Sequence, residues 1–321
     1  MPVRMKDIAE KLNISTATVS RVLGKVDDPF ISEATKKKVR EAALYMGYKK
    51  NIVAQALTNG KTNLIEIQVP FGYAGLNAQF LSLANKTGYQ LTFRDIEAMY
   101  IYNSHFSINT FMSDGIISII TGSLLDELVS PNSPCVSIGD KCSLNFDHII
   151  FNLYDGTKSA VEYLIKNGCK RIAYIADELT DIESEARCKA YKDVLNGAGM
   201  EPCFIMSKDY DDKTVFDFLL EYLKNGLDFD GAFCHSNNRA QALHRALLLN
   251  GYKIPDDVSV IGVSETNAVD FITPSITTID IDYGQVALTA WDFLMKRINE
   301  PDMPLQEASC GYKLNLREST R

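Results

Sequence analysis

Paired cysteines are missing. The seven cysteines in 321 residues form no CxxC and no regular spacing, so neither a disulfide framework nor a zinc site is expected, and the set reads as reduced cytosolic thiols. Long charge-free apolar runs are missing too, which excludes a transmembrane helix. Residues 1–7 carry charge and no apolar stretch, so no secretory signal is expected at this end. The signatures of common catalysts are likewise absent: there is no GxSxG, no HExxH, no Walker phosphate loop and no complete GxGxxG. Gly197-Ala-Gly199 lacks a third glycine and follows a helical stretch instead of a strand, so a dinucleotide reading fails on context. His105, His148, His235 and His244 show no metal-ligand spacing and read as surface or core residues. The acid pairs Asp27-Asp28, Asp211-Asp212 and Asp256-Asp257 fall in loops or helix starts, where capping and solvated charge account for them. No enzyme, cofactor or metal is expected.

What is present is uneven. The chain is longer than one core usually holds, so two or three folding units are expected. Its net charge of −8 conceals a basic head: residues 1–61 carry 12 Lys and Arg against 6 Asp and Glu, and the remainder carries 21 against 35. On charge alone, a solvated basic helix and a nucleic-acid contact confined to one end are equally good readings.

The head resolves the ambiguity through its pattern. Met5, Ile8, Ala9 and Leu12 recur at helical spacing. Asn13 tolerates the left-handed backbone of a tight turn, and Ser15 or Thr16 can cap a second helix over about 16–23 that buries Val19, Val22 and Leu23. This is the pattern of a helix-turn-helix, whose second helix enters the major groove. Thr16, Ala17, Ser20 and Arg21 fall on or near its exposed side. Arg21 can grip guanine bidentately, Ala17 offers a methyl to thymine, and Thr18 and Ser20 suit phosphates. A third helix is capped by Ser32, buries Val39, Ala42, Ala43 and Met46, and ends at Gly47. Residues 51–57 form a segment too short to be helical alone, and 58–62 read as a linker.

Lys6-Asp-Ile-Ala-Glu10, Ser15-Thr-Ala-Thr-Val-Ser-Arg-Val-Leu23 and the segment 51–57 together resemble the headpiece and hinge of the lactose/galactose repressor (LacI/GalR) family. The resemblance implies a double-stranded operator as partner, base reading by Thr16, Ala17 and Arg21, and a hinge that folds on DNA. It also implies that Leu57 wedges into the central base step. The DNA-facing set is then Lys6, Ser15, Thr16, Ala17, Thr18, Ser20, Arg21, Phe30, Asn51, Ala54 and Leu57. Two positions depart from the family: Gly24 replaces Asn, and Lys50 replaces the Pro before the hinge.

Beyond the linker, apolar runs at 64–69, 115–120, 135–138, 148–151, 171–176, 231–234 and 258–263 read as buried strands. Helical patterns at 157–167, 186–197, 214–225 and 239–250 fall between them, which argues for an α/β fold with parallel sheets. Ile254-Pro-Asp-Asp-Val-Ser-Val-Ile-Gly262 and Thr273-Pro-Ser-Ile-Thr-Thr-Ile279 extend the resemblance through this half. It implies an all-α helix-turn-helix headpiece (1–50), a hinge helix and linker (51–62), and an effector-binding and dimerisation core (63–321) of periplasmic-binding-protein type. The core would hold two Rossmann-like subdomains, about 63–151 plus 281–306 and about 152–280 plus 307–321, with a sugar or sugar phosphate in the cleft between them.

The candidate effector-contacting residues are Phe71, Tyr73, Asp140, Arg187, Ser236, Asn237, Ser264 and Glu265, of which the resemblance implies Asp140, Arg187, Ser236, Asn237 and Ser264. Ser264 stands where the family carries a sugar-binding aspartate, and residues 70–88 look several residues short. Read without the resemblance, Arg187 is also compatible with a surface helix position, and Asp140 equally with a turn or cap. The aromatics Phe71, Tyr73, Phe146, Phe271 and Trp291 are core residues by default, although Phe71, Tyr73 and Phe271 lie near strand ends, where stacking on a ligand is open to them. The expected protein is a cytoplasmic homodimeric repressor reading a pseudo-palindrome. No heptad follows Leu316, so no coiled-coil tetramer is expected. The rival readings are a sugar kinase with a DNA-binding head, which lacks its phosphate loop, and a transport receptor, which lacks its signal peptide.

Overall fold

A computed structural model describes residues 3–24, 28–49, 60–69, 73–94, 113–178, 182–208, 211–264 and 267–321. The chain divides into two compact units, the first holding residues 1–63 and 87–89 and the second 64–86 and 90–321.

In the first unit, α1 (Met5–Leu12), α2 (Thr16–Val22) and α3 (Glu33–Tyr45) close on one small core. Ile8, Ala9, Val19, Val22, Val39, Ala42 and Ala43 are its buried members. Met46 and Leu23, expected inside, are half-buried at its margin. Asn13 adopts φ 50° and ψ 48° at the end of α1, which turns the chain sharply into α2. Ser15 and Ser32 each accept a hydrogen bond from a backbone N–H three residues on, so both caps form as their residue type dictates.

The second unit is a double α/β layer. Strands β1 (Leu64–Gln68), β2 (Gln90–Phe93), β3 (Gly115–Ser118), β4 (Cys135–Gly139) and β5 (Asp147–Asn152) run parallel in the order β2-β1-β3-β4-β5. Strands β6 (Ile172–Asp177), β7 (Cys203–Ser207), β8 (Gly231–Cys234), β9 (Ser259–Ser264) and β10 (Thr277–Ile281) repeat that order as β7-β6-β8-β9-β10. The last strand, β11 (Glu307–Asn315), pairs parallel with β5 over 307–311 and antiparallel with β10 over 312–315, joining the two sheets. The central strands β3, β4, β6 and β8 are buried along their whole length, which is why each reads as an unbroken apolar run.

The helices α4 (Ala74–Thr87), α5 (Gly122–Leu128), α6 (Leu153–Lys166), α7 (Ala186–Gly197), α8 (Asp212–Lys224), α9 (Asn237–Leu249) and α10 (Tyr283–Asn299) connect these strands. Side chains of Asn152, Glu185, Asp211, Ser236 and Asp282 cap five of them. Gly262 in β9 allows α9 to lie close: a Cβ there would meet the Ala240 Cβ at 2.7 Å.

One buried ion pair locks the return crossover. Asp147 at the start of β5 is 1% exposed. It accepts from Arg297 Nε at 2.9 Å and Nη2 at 2.7 Å, and from the Gln306 backbone N–H at 2.8 Å. Arg297 also donates to the carbonyls of Pro301 and Pro304, so the turn between α10 and β11 is held by one guanidinium.

Each half changes winding direction once, between β1 and β3 and between β6 and β8. Ligands of such sheets lie outside the carboxyl ends of the strands at these points.

Candidate functional site

Two arrangements carry chemistry, one in each unit. On α2 the buried face is Val19 and Val22, so the opposite face is free. Thr16, Ala17, Ser20 and Arg21 are exposed on it. Ser15 and Thr18 are engaged differently from an outward-facing pair. The Ser15 Oγ accepts the Thr18 N–H at 3.0 Å and lies 2.8 Å from the Thr18 hydroxyl, so both build the N-terminus of the helix. The Arg21 guanidinium rests 3.6 Å from Asp28, with two-thirds of its side chain exposed, a pair that solvent screening keeps weak. Lys6 is exposed beside Glu10, and Phe30 stands 93% exposed. The basic face of α3 is mixed: Lys37 and Lys38 are exposed, whereas Lys36 is buried against Glu33 at 2.7 Å. Asn51, Ala54 and Leu57 lie outside the described residues.

In the core, residues at the carboxyl ends of the strands meet around Arg187. Glu185 caps α7 and is 5% exposed. Its Oε1 takes the Arg187 Nε at 2.5 Å, while Oε2 takes the Cys188 N–H at 2.9 Å and the Tyr174 hydroxyl at 3.2 Å. Arg187 Nη1 donates to the His235 carbonyl at 2.7 Å, tying α7 to the end of β8. Arg187 is therefore neither a free surface residue nor an isolated charge. Burial opposes its charge, but Glu185, Tyr174 and Asp140 hold its pKa above the ordinary arginine value. Asp140 follows β4 in the first sheet, is exposed, and acts on Arg187 from the other half.

The same end of the second sheet holds a further ion cluster. Arg239 is 7% exposed and donates to Asp177, at the end of β6, at 2.9 Å and to Asp212, at the start of α8, at 2.8 Å. Asn238 also reaches Asp212 at 2.8 Å. These contacts clamp the loops that surround His235. Burial, then Arg187 and Arg239, push the His235 imidazole well below its usual pKa, so it stays neutral.

The remaining candidates divide. Ser236 caps α9 and accepts the Arg239 N–H at 3.4 Å, and Asn237 is 2% exposed beside it. Tyr73 packs edge-on against Tyr283 with ring centroids 6.1 Å apart. Ser264 ends β9. Phe71 and Glu265 lie outside the described residues. Phe146 and Trp291 are core residues as expected, each 4% exposed. Phe271 is not: it stands 85% exposed just after a short 3-10 turn (Asn267–Asp270), which corrects the default assignment of that aromatic to the core. Glu185 and the Arg239 cluster carry no signal that the sequence analysis drew on. A glutamate two residues before an arginine at a helix start is the one signal that could have indicated the capped pair.

Residues 4–51 match the model of bacterial regulatory proteins of the lacI family, and residues 161–320 match that of the periplasmic binding protein-like domain. A probable HTH-type transcriptional repressor, ExuR, of Bacillus subtilis (strain 168) is 27% identical over 333 residues, covering 99% of this chain and 98% of the relative. Among solved structures, the lac repressor dimer bound to operator and the anti-inducer ONPF matches with a TM-score of 0.75 at 22% identity, covering 100% of this chain and 99% of that one. A complex of the transcriptional regulator CelR with cellobiose matches with a TM-score of 0.65 at 22% identity, over 99% of both chains. These structural likenesses show a shared fold.

Proposed function

We propose that the chain, with a lacI family match at its head and a periplasmic binding protein-like match in its core, is a cytoplasmic, sequence-specific repressor of the lacI family whose hold on DNA is set by a small polyhydroxylated effector. The observation that carries the reading is α2, a helix pinned by Val19 and Val22 with Thr16, Ala17, Ser20 and Arg21 turned outward. In this reading α2 lies in the major groove. Arg21 leaves Asp28 for guanine, Ser15 and Thr18 present the helix start to a phosphate, and Lys6 and Phe30 flank the contact. Asn51, Ala54 and Leu57 complete it in the minor groove. No catalytic step is part of the reading.

One headpiece reads a half-site, so a two-fold dimer is required for a pseudo-palindrome. Phe271 is 85% exposed, with Leu248 and Leu249 of α9 exposed at 43% and 59%, and these supply an apolar surface in the core for the second copy. The domain division is a headpiece at 1–50, a hinge at 51–62 and a core whose halves exchange at 152, 281 and within β11.

The effector occupies the space outside the strand ends around Arg187, Asp140, Ser236, Asn237, Ser264 and Tyr73. Closing or opening that cleft alters the spacing of the two hinges, with a coupling of about 1–3 kcal/mol. Linkage provides the test. A sugar that raises the melting temperature of the full chain should shift its affinity for a selected duplex, and the duplex should shift sugar affinity by the same factor. A sugar that binds tightly while leaving duplex affinity unchanged overturns the allosteric part. Replacement of Arg187 by Gln should abolish the shift and leave duplex binding intact.

A further inference from the structure

Among the described residues, Lys141 at the strand ends has no anionic partner. Lys141 follows Asp140 in the turn after β4 and is exposed. Its Nζ donates at 3.1 Å to the Ser184 hydroxyl, which lies before α7 in the other half of the core. That single neutral contact bridges the two sheets' loops, and among the described residues no carboxylate lies within ion-pair distance of the ammonium. Nearby, Arg187 has committed Nε to Glu185 and Nη1 to the His235 carbonyl, leaving Nη2 without an acceptor among the described residues. Two donor groups, one from each half and linked through Ser184, which precedes Arg187 in the same loop-to-helix segment, therefore keep hydrogen-bonding capacity to spare.

Resting on the effector-cleft reading above, we propose that the ligand is a polyhydroxy acid whose carboxylate is clamped between the Lys141 ammonium and the open edge of Arg187. The ligand's carboxylate takes the place of the Ser184 hydroxyl on Lys141, so the bridge between the halves passes through the ligand. Charge selects a carboxylate over a phosphate. Glu185 pairs with Arg187, and Asp140 adds a second negative charge close by, so Lys141 offers a single ammonium that no described carboxylate meets within ion-pair distance, enough for one carboxylate. A phosphate ester brings about −1.5 to −2 at neutral pH and would stand beside Asp140 uncompensated. Asp140, exposed in the same turn, is an acceptor for the ligand's hydroxyls.

The test is calorimetric titration of the full chain with D-glucuronate, D-galacturonate and D-gluconate, with D-glucose and D-galactose, and with glucose 6-phosphate. At least one of the acids should bind about tenfold or more tightly than its neutral parent, the usual scale of a charge-assisted hydrogen bond. In Lys141→Gln that ratio should fall towards one with neutral-sugar affinity and melting temperature unchanged. Lys141→Arg should keep the preference, and Ser184→Ala should not reduce it. Neutral sugars that bind as well as the acids, or a preference that survives in Lys141→Gln, overturn the proposal and leave the wider sugar-sensor reading standing. A preference for the phosphate overturns the carboxylate. No heat with any member of the panel overturns the polyhydroxylated effector and this proposal with it.

Discussion

Replacing Arg21 separates reading from mere adhesion. Arg21 starts in a pair with Asp28 at 3.6 Å, with 65% of its side chain exposed. Breaking such a pair costs about 0–1 kcal/mol. A bidentate contact to guanine discriminates against the wrong base by about 1–3 kcal/mol. The contact therefore outweighs the pair in most of that range, and Arg21→Ala should reduce the preference for the selected duplex over random sequence by about 5- to 150-fold. Arg21→Lys keeps the charge but loses the fork, so it should keep affinity for random sequence while losing the same specificity. Asp28→Asn, which frees Arg21 and removes a negative charge, should tighten binding to all sequences. Fluorescence anisotropy on both duplexes at several salt concentrations separates these effects, because a lost phosphate contact changes the salt slope and a lost base contact does not. Full specificity in Arg21→Lys, or an unchanged ratio in Arg21→Ala, would refute base reading by this side chain.

Other outcomes follow from the core. Arg297→Met leaves the Asp147 carboxylate buried without its partner and should destabilise the chain by about 3–5 kcal/mol in urea titration, with Asp147→Asn in the same chain recovering most of the loss. The His235 pKa is depressed, so the unfolded chain takes up a proton near pH 6.5 that the folded chain refuses. Stability should thus be level above that pH and fall below it, by up to about 1.4 kcal/mol per pH unit. His235→Asn should flatten that slope between about pH 6.5 and 5, leaving the part due to His244, which burial also depresses. Phe271→Asp should convert dimers to monomers in light scattering and weaken duplex binding, while the melting curve of the headpiece stays unchanged.

The headpiece was largely legible because its information is local. Asn13 at the turn, the caps Ser15 and Ser32, and the stripe Val39, Ala42, Ala43 each act within a few residues. The central strands were legible for a different reason: burial on both faces leaves uninterrupted apolar runs such as β6 and β8. The strands that escaped lack that signature. β2 sits at the sheet edge, mostly exposed, and β11 alternates along its length with charged residues at both ends of the pattern. β10 carries Thr277, Thr278 and Asp280, whose polarity is satisfied by partners about 35–43 residues away, Asn315 and Thr320 among them. The helix α10 carries a readable stripe, Val286, Ala287, Ala290, Trp291 and Leu294. In the cleft, Arg187 was legible through its motif. Its surroundings were not, since Glu185, the His235 carbonyl, Lys141 and the Asp177–Arg239–Asp212 cluster meet only through folding, and side chains up to 62 residues apart leave no periodic trace.

The most direct measurement is the affinity of the full chain for a duplex enriched from a random library, set against random competitor at about 0.15 M salt with the headpiece shown to be folded. A groove-reading α2 predicts a preference of at least about a thousandfold. A ratio near one, with or without a bound ligand, would contradict the central claim.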